Sequence, residues 1–443
     1  MLRISSELNY EETEWSEVHY SFKTGKTRLC FQILVAFWTL FATALILLIT
    51  TWYMTTNVVI FPDAKAVTVT RNPAIVWYTK DMHWLPYINK VTCRNSTLQC
   101  DVFLKSSQYQ NPEAYLFYAT YIEDYPLPKN HNTIWGLIHE ESPKNILEFV
   151  YEESLSLFNF SSTFSRFSDV PFPLHLLRSL ETLTSKEFYV NTSTKNAFLT
   201  HLAPVLYMQN DCDTTTERDE YVKVLMEYIK VDSYGECLHN KDLVINRSYQ
   251  TFLSDKDMYQ FIAKYKFMIA IENGVCNDYM TEKLWRPIQA GVVPIYFGAP
   301  QIRDWLPNNK SAILLEDFPT PELLSQHLHY LLNNDTAYEE YLEHKTLGKI
   351  SNQNLLEEIR LRPYQTNYYE ALREFETFIC ERIYDKNNTK VNVVTRAHYD
   401  CPLPVSALTL SVNPTNVWID RIEKAKTTID MIQRLNSKVV DRS

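Results

Sequence analysis

Glycine is scarce in this chain, with seven in 443 residues, and neither a G-x-G-x-x-G nor a G-x-x-x-x-G-K-[ST] string occurs. Dinucleotide sites of the Rossmann type and Walker loops both need glycine backbone pressed against phosphate. Neither is supported, and a bound nucleotide must be held by side chains. Positive charge is not in excess: 43 Lys and Arg stand against 53 Asp and Glu, net −10. That excludes a global field for nucleic acid or an acidic membrane surface and makes any anion site a local one. None of the Cys and His spacings fits a structural zinc site, so no bound metal is expected. Tandem repeats and long linkers are missing too. With 45% apolar residues, the length implies about two domains plus appendages, each with a sizeable core.

One hydrophobic run is long. Leu29 to Trp52 carries no charge and suffices to span a bilayer as one helix. Lys23, Lys26 and Arg28 precede it and the next basic residue is Lys65, so residues 1–28 are expected in the cytosol, 29–52 as a signal anchor and 53–72 as a stem. The expectation is a single-pass type II protein of the Golgi or endoplasmic reticulum membrane with a luminal body. No KDEL-like tail chooses between the two organelles. Asn95, Asn159, Asn191, Asn246, Asn309, Asn334 and Asn387 head N-x-S/T acceptors, all beyond the membrane run.

The most informative segment is Tyr265 to Pro300, YKFMIAIENGVCNDYMTEKLWRPIQAGVVPIYFGAP. Lys266 to Ile271 reads as a buried parallel strand, ENGVCND as the polar turn at its carboxyl end, and Tyr279 onward as a helix entered through Asn277 or Asp278. Pro287 should kink or stop that helix. A helix N-terminus at such a crossing offers unpaired N–H groups and a positive dipole end to an anion, and Lys283 adds a full charge.

The pattern I-E-N, six residues to Tyr279, Thr281-Glu282-Lys283, then Gly291-Val-Val-Pro294 resembles the signature of the α1,3-fucosyltransferases, glycosyltransferase family 10. The resemblance implies a donor site for GDP-fucose, with Asn273 and Tyr279 at the sugar-diphosphate end, Glu282 on the ribose hydroxyls and Lys283 on the diphosphate. It also implies an α/β fold of GT-B type, two Rossmann-like domains facing a cleft. Arg218, at the start of the helix after Pro204-Val-Leu-Tyr-Met, matches the family's diphosphate-gripping Arg. Its planar donor fork suits phosphate oxygens. His139-Glu140-Glu141-Ser142-Pro143 follows another strand, and Glu141 matches the family's catalytic Glu before Ser-Pro, with Glu140 and His139 as competitors. Arg166 and Asp169 fall in a stretch like the family's R-x-D-S-D, but Phe167-Ser168 departs from it, so a place at the cleft is expected without a catalytic role. Phrases such as HEESPK, VDSYGEC and DWLP resemble one outlying branch, fucosyltransferases ten and eleven, associated with O-fucosylation of Ser or Thr in disulfide-rich EMI modules. A protein acceptor is therefore preferred over the GlcNAc of N-glycans or Lewis-type glycans. A non-catalytic luminal binding protein keeping the fold, and a two-carboxylate glycoside hydrolase, are the rivals from other classes.

Asp211-Cys212-Asp213 is the D-x-D of metal-dependent glycosyltransferases, but two aspartates ahead of a helix are more often capping and turn residues. Of the cysteines, Cys93 with Cys100 and Cys380 with Cys401 are near neighbours bounded by turn residues and are expected to pair, Cys212 with Cys237 follows by elimination, and Cys276 is left as the odd thiol. The body divides into an acceptor-side α/β domain over 73–197, a donor-binding one over 198–375 and an extension over 376–443. In the extension Trp418, Ile422, Ala425, Ile429, Ile432 and Leu435 mark an amphipathic helix that either docks on the body or self-associates.

Overall fold

The computed structural model describes residues 38, 42–45, 47–48, 71–79, 90–105, 111–243, 256–385 and 392–437. Met1–Thr70 and Arg71–Ser443 are two separate compact units. In the first, the described residues are helical and exposed, and the rest of the expected membrane run and most of the stem lie outside the described residues. No helix among the described residues is long and apolar enough to cross a membrane.

The second unit holds two α/β layers. The first sheet has the order β2 (Lys90–Thr92), β3 (Gln99–Leu104), β1 (Ala74–Trp77), β4 (Ala114–Tyr118), β5 (Ile134–His139), β6 (Phe160–Thr163), parallel throughout except for the antiparallel edge strand β2. The second is wholly parallel, with the order β11 (Ile313–Leu314), β10 (Val293–Phe297), β9 (Phe267–Ile271), β7 (Val205–Met208), β8 (Val231–Tyr234). Runs such as FMIAI and VLYM are buried at every position because helices cover both faces of a parallel sheet, and this makes the strands continuous apolar strings in the sequence.

The Tyr368–Tyr384 helix returns from the second half of the chain to pack on the first sheet through Ala371, Leu372, Phe375 and Ile379. The expected division at 375/376 falls inside it. Gly136 of β5 permits that approach, since a Cβ there would lie 2.7 Å from Leu116 and 3.0 Å from the Phe375 ring. Trp77 Nε1 donates to Glu376 Oε1 at 2.8 Å in the same layer.

The disulfides differ from expectation. Cys212–Cys237 pairs as expected, whereas the other two bridges among the described residues are Cys100–Cys380 and Cys276–Cys401, and Cys93 is the free, buried thiol among them. Short sequence separation misleads here because the Tyr368–Tyr384 helix brings Cys380 to the β2–β3 edge, 3.2 Å from the Cys93 sulfur, and Cys100 takes it. The Val417–Ser437 helix docks on the body. Trp418, Ile422, Ala425, Ile429 and Ile432 are buried, Trp418 Nε1 donates to Asp213, and Arg421 pairs with Asp213 at 2.7 Å, while Leu435 stays exposed.

Candidate active site

The loops leaving the carboxyl ends of β5 and β9 meet, which is where open α/β sheets hold ligands. His139, the last residue of β5, turns inward between Phe149 and Tyr399, with both ring nitrogens lacking a partner, and burial pushes it down to about 3, so it is neutral. Glu140 accepts from the Tyr118 hydroxyl, and burial lifts its carboxyl to about 7 against that hydrogen bond. Glu141, half-buried, turns the other way, toward the β9 loop.

The turn after β9 is organised by Glu272, a fully buried carboxylate missing from the sequence-derived site. It accepts from the Thr281 amide and hydroxyl, both at 2.7 Å, and its Oε2 lies 3.6 Å from Lys283 Nζ. Burial raises its carboxyl to about 7 although Lys283 opposes this. The helix therefore begins at Glu282, capped by Thr281, and not at Tyr279 behind Asn277 or Asp278. Those two side chains are committed elsewhere. Asp278, in the left-handed region at φ 64°, binds the Arg166 guanidinium and Trp305 Nε1, and Asn277 binds Asp400. Pro287 does not stop the helix. It runs to Ala290 and closes on left-handed Gly291, with Gly291 N–H to Ile288 O at 3.2 Å and Val292 N–H to Pro287 O at 2.8 Å.

Five expected site residues come together. The Tyr279 hydroxyl stands 3.1 Å from Glu141 Oε2 and 3.0 Å from Asn273 Oδ1, and Ser142 Oγ donates to Asn273 Oδ1 at 2.9 Å. A hydroxyl has one proton, and a carboxylate is a stronger acceptor than an amide oxygen. Burial first, and then the charges of Glu141, Glu272 and Glu282, hold Tyr279 well above its usual range, so it remains a donor. Glu282 is pulled down to about 2 because Lys283 and Arg286 outweigh its burial, and Glu282 and Glu272 in turn keep Lys283 charged against its own desolvation. Lys283 Nζ is 3.2 Å from both Thr281 Oγ1 and Glu282 Oε1. The cation thus sits at the N-terminus of a nine-residue helix, with the Glu141 carboxylate across the turn.

Arg218 is buried, with 1% exposed, and donates to the backbone oxygens of Ile271 and Asp211, leaving Nε without a partner. It forms no surface ion pair with its neighbours: Glu217 is held by Asn413 and Asp219 by Tyr207. Arg166 ties the first sheet to the β9 turn through Asp278 and reaches Asp304 at 2.8 Å, while Asp169 accepts from Ser161 N at 2.8 Å and stays within its own turn. Asp211 pairs with Lys144 and Asp213 with Arg421, so each carboxylate of the D-C-D string has a protein cation. Among the described residues, the one cluster with metal-like spacing is Cys212, Asp219 and Cys237, whose two sulfurs form a disulfide.

Of the glycosylation acceptors, Asn95, Asn191 and Asn309 are exposed and Asn334 is half-buried as a helix cap. The Asn159 amide is engaged by Trp135, Lys129 and Asn392, and Asn246 and Asn387 lie outside the described residues. Glu272 and Thr281 lie inside the quoted motif without a role of their own in the sequence, although an acidic residue at a strand end and a Thr ahead of a helix are both recognisable signals. Tyr399, whose hydroxyl donates to Glu141 O at 2.6 Å, has no local signal because it is 258 residues away.

A half-buried cation at a helix N-terminus opposite a carboxylate, on paired α/β sheets, is the arrangement of a group-transfer enzyme for an anionic donor. Residues 200–392 match the model of "Glycosyltransferase family 10 (fucosyltransferase) C-term". The zebrafish (Danio rerio) GDP-fucose protein O-fucosyltransferase 3 is 39% identical over 378 residues, covering 80% of this chain and 80% of the relative. The human protein of that name is 40% identical over 352 residues, covering 75% and 72%. Alpha-(1,3)-fucosyltransferase B of Drosophila melanogaster is 42% identical over 343, covering 75% and 77%. A solved alpha1,3-fucosyltransferase with GDP-fucose is 14% identical with a TM-score of 0.45, covering 75% of this chain and 96% of its own. The chain belongs to glycosyltransferase family 10 and is a fucosyltransferase.

Proposed function

We propose that this enzyme transfers L-fucose from GDP-fucose, with inversion, to a Ser or Thr hydroxyl of a folded, disulfide-rich, EMI-type protein module in the secretory lumen. The observation that carries it is the meeting of Glu141 with the Tyr279–Lys283 stretch, a base and an anion site one side chain apart. The Glu141 carboxylate takes the acceptor proton, the acceptor oxygen bonds to fucose C1, and the C1–phosphate bond breaks on the opposite face. Lys283, the helix N-terminus and the unpartnered Nε of Arg218 stabilise the charge that collects on the leaving GDP. Glu282 holds the ribose hydroxyls and Asn273 the sugar end. Cationic side chains fill the role of a metal, and the reading is metal-independent transfer, supported by the protein partners of Asp211 and Asp213.

The two layered sheets support the GT-B architecture, and the run 29–52 supports type II anchoring in the Golgi or endoplasmic reticulum. The vertebrate relatives named as protein O-fucosyltransferases favour a protein acceptor, while the fly relative named as an α1,3-enzyme favours a GlcNAc hydroxyl as the second reading. Incubation with GDP-fucose, folded EMI modules and GlcNAc-terminated glycans, read by mass shift, separates them: fucose on glycans alone overturns the protein-acceptor reading. Glu141→Gln should bind GDP normally and lose transfer, and normal transfer would remove Glu141 as the base.

A further inference from the structure

We infer that the C-terminal segment Arg396–Cys401 is a positioning strap for the base, with Tyr399 as a positioning residue and the Cys276–Cys401 disulfide as its covalent closure. The inference rests on the reading of Glu141 as the base. Glu141 is held at two atoms. Tyr279 meets its carboxylate at 3.1 Å, and Tyr399 donates to its backbone oxygen at 2.6 Å. The two tyrosines come from segments far apart in sequence, yet they are joined twice. Their rings both flank Phe164, at 5.1 and 5.0 Å, and Cys276, three residues before Tyr279, is bonded to Cys401, two residues after Tyr399. The resulting closed loop runs from Glu141 through Tyr279 and Cys276 across the disulfide to Cys401 and Tyr399, and back to Glu141.

The strap is anchored on both sides of the cleft. Asn277 N–H donates to Asp400 O at 2.9 Å on the β9 turn, while Thr163 Oγ1 donates to His398 O at 2.6 Å and Ser165 Oγ to Ala397 O at 2.8 Å at the end of β6. The Tyr399 ring also packs against His139 and Phe149, and Cys276, Tyr279, Tyr399 and Cys401 are all buried. None of its contacts given above reaches the Glu282 or Lys283 side chain, so base placement is separable from the hold of those two residues on the nucleotide, which GDP affinity reads. A base displaced by a fraction of an ångström loses rate without loss of donor affinity.

The test is Tyr399→Phe in the full chain, beside Tyr338→Phe as a matched control. Tyr338 is also buried and donates to a backbone oxygen, Lys266 O at 3.0 Å, away from the cleft. Both variants should lose a similar few degrees of Tm. Tyr399→Phe alone should lower kcat about tenfold, with KM for GDP-fucose and Kd for GDP within about twofold of wild type. Equal kcat in the two variants, or parallel loss of kcat and GDP affinity, overturns the inference. If Cys276→Ser/Cys401→Ser folds, its kcat should fall as well, and adding Tyr399→Phe should cost little more because the ring is already open. Multiplicative losses would refute a shared ring. An active Glu141→Gln would sink the base assignment itself, whereas an inactive Glu141→Gln with a fully active Tyr399→Phe would sink only the strap.

Discussion

Gly274→Ala is the sharpest probe of the contact between the two loops. A Cβ built on Gly274 would lie 2.9 Å from Ser142 Cβ, 3.0 Å from Ser142 Oγ and 3.4 Å from Thr215 Oγ1. Ordinary contact needs about 3.5–4 Å, so Ser142 must retreat by about 0.5–1 Å, a strain of about 1–3 kcal/mol. Ser142 follows Glu141 directly and donates to Asn273, so the retreat breaks that 2.9 Å hydrogen bond and carries the Glu141 carboxylate, the proposed base, away from Tyr279. A displacement of that size costs about 10- to 100-fold in kcat. Lys283 and Glu282, anchored by Thr281 and Glu272 on the far side of the turn, keep their places. Initial-rate kinetics of fucose transfer should show the fall in kcat, while calorimetric titration with GDP should show affinity within about threefold of wild type. Ser142→Gly added to Gly274→Ala removes the clashing Cβ and should recover part of the loss. Wild-type kcat in Gly274→Ala, or GDP affinity falling in step with kcat, would refute the reasoning.

Lys283→Ala removes the cation at the helix N-terminus and should weaken GDP binding about 10- to 100-fold, measured by calorimetry; unchanged affinity would strip Lys283 of its role. Burial lifts the Glu376 carboxyl from 4.5 to about 7, so the folded state binds the proton more tightly than the unfolded one. Its contribution to stability is full below about pH 4.5 and is lost as pH rises through about 7, about 3 kcal/mol in all. Glu376→Gln, which keeps an acceptor for Trp77, should therefore flatten the fall in Tm between pH 5 and 8, and an unaltered slope would contradict the assignment. Cys380→Ala opens a bridge spanning 280 residues and should cost about 4–5 kcal/mol in denaturant unfolding. Cys100→Ala should cost far less, because the Cys93 sulfur, 3.2 Å from that of Cys380, can take the vacated place. Non-reducing peptide maps lacking a Cys93–Cys380 link in that variant would rule this out.

Elements whose residues are buried on both faces were legible in the sequence: β9, β10, β7 and β4 are apolar runs with polar turns after them. β6, with three hydroxyl residues in FSST, and β2, three residues long at an edge, gave no such pattern. Within the site, Glu141, Asn273, Tyr279, Glu282 and Lys283, which the structure brings together, could be singled out in advance because each falls in a local motif. The start of the helix was misplaced because Asn277 and Asp278, both good caps by type, spend their side chains on Asp400 and Arg166. Partners at that distance leave no local trace. The same holds for Cys380 and Cys401, whose true mates are fixed by a helix and a strap that return from the end of the chain.

The return of the Tyr368–Tyr384 helix to the first sheet bears on how the protein is made. Strands β1 to β6 are complete by Thr163, but one face of their sheet stays uncovered until Tyr384 emerges, 221 residues later by subtraction. At translation speeds of about 5–20 residues per second, that is roughly 10–45 s during which Trp77, Leu116 and the sulfur of Cys100 face solvent or a chaperone. The Glu141 loop closes later still, because Tyr399, which donates to the Glu141 backbone oxygen, lies beyond this helix. A fragment ending before this helix would carry the Glu141 sequence without the Tyr399 hydroxyl and without cover on one face of its sheet.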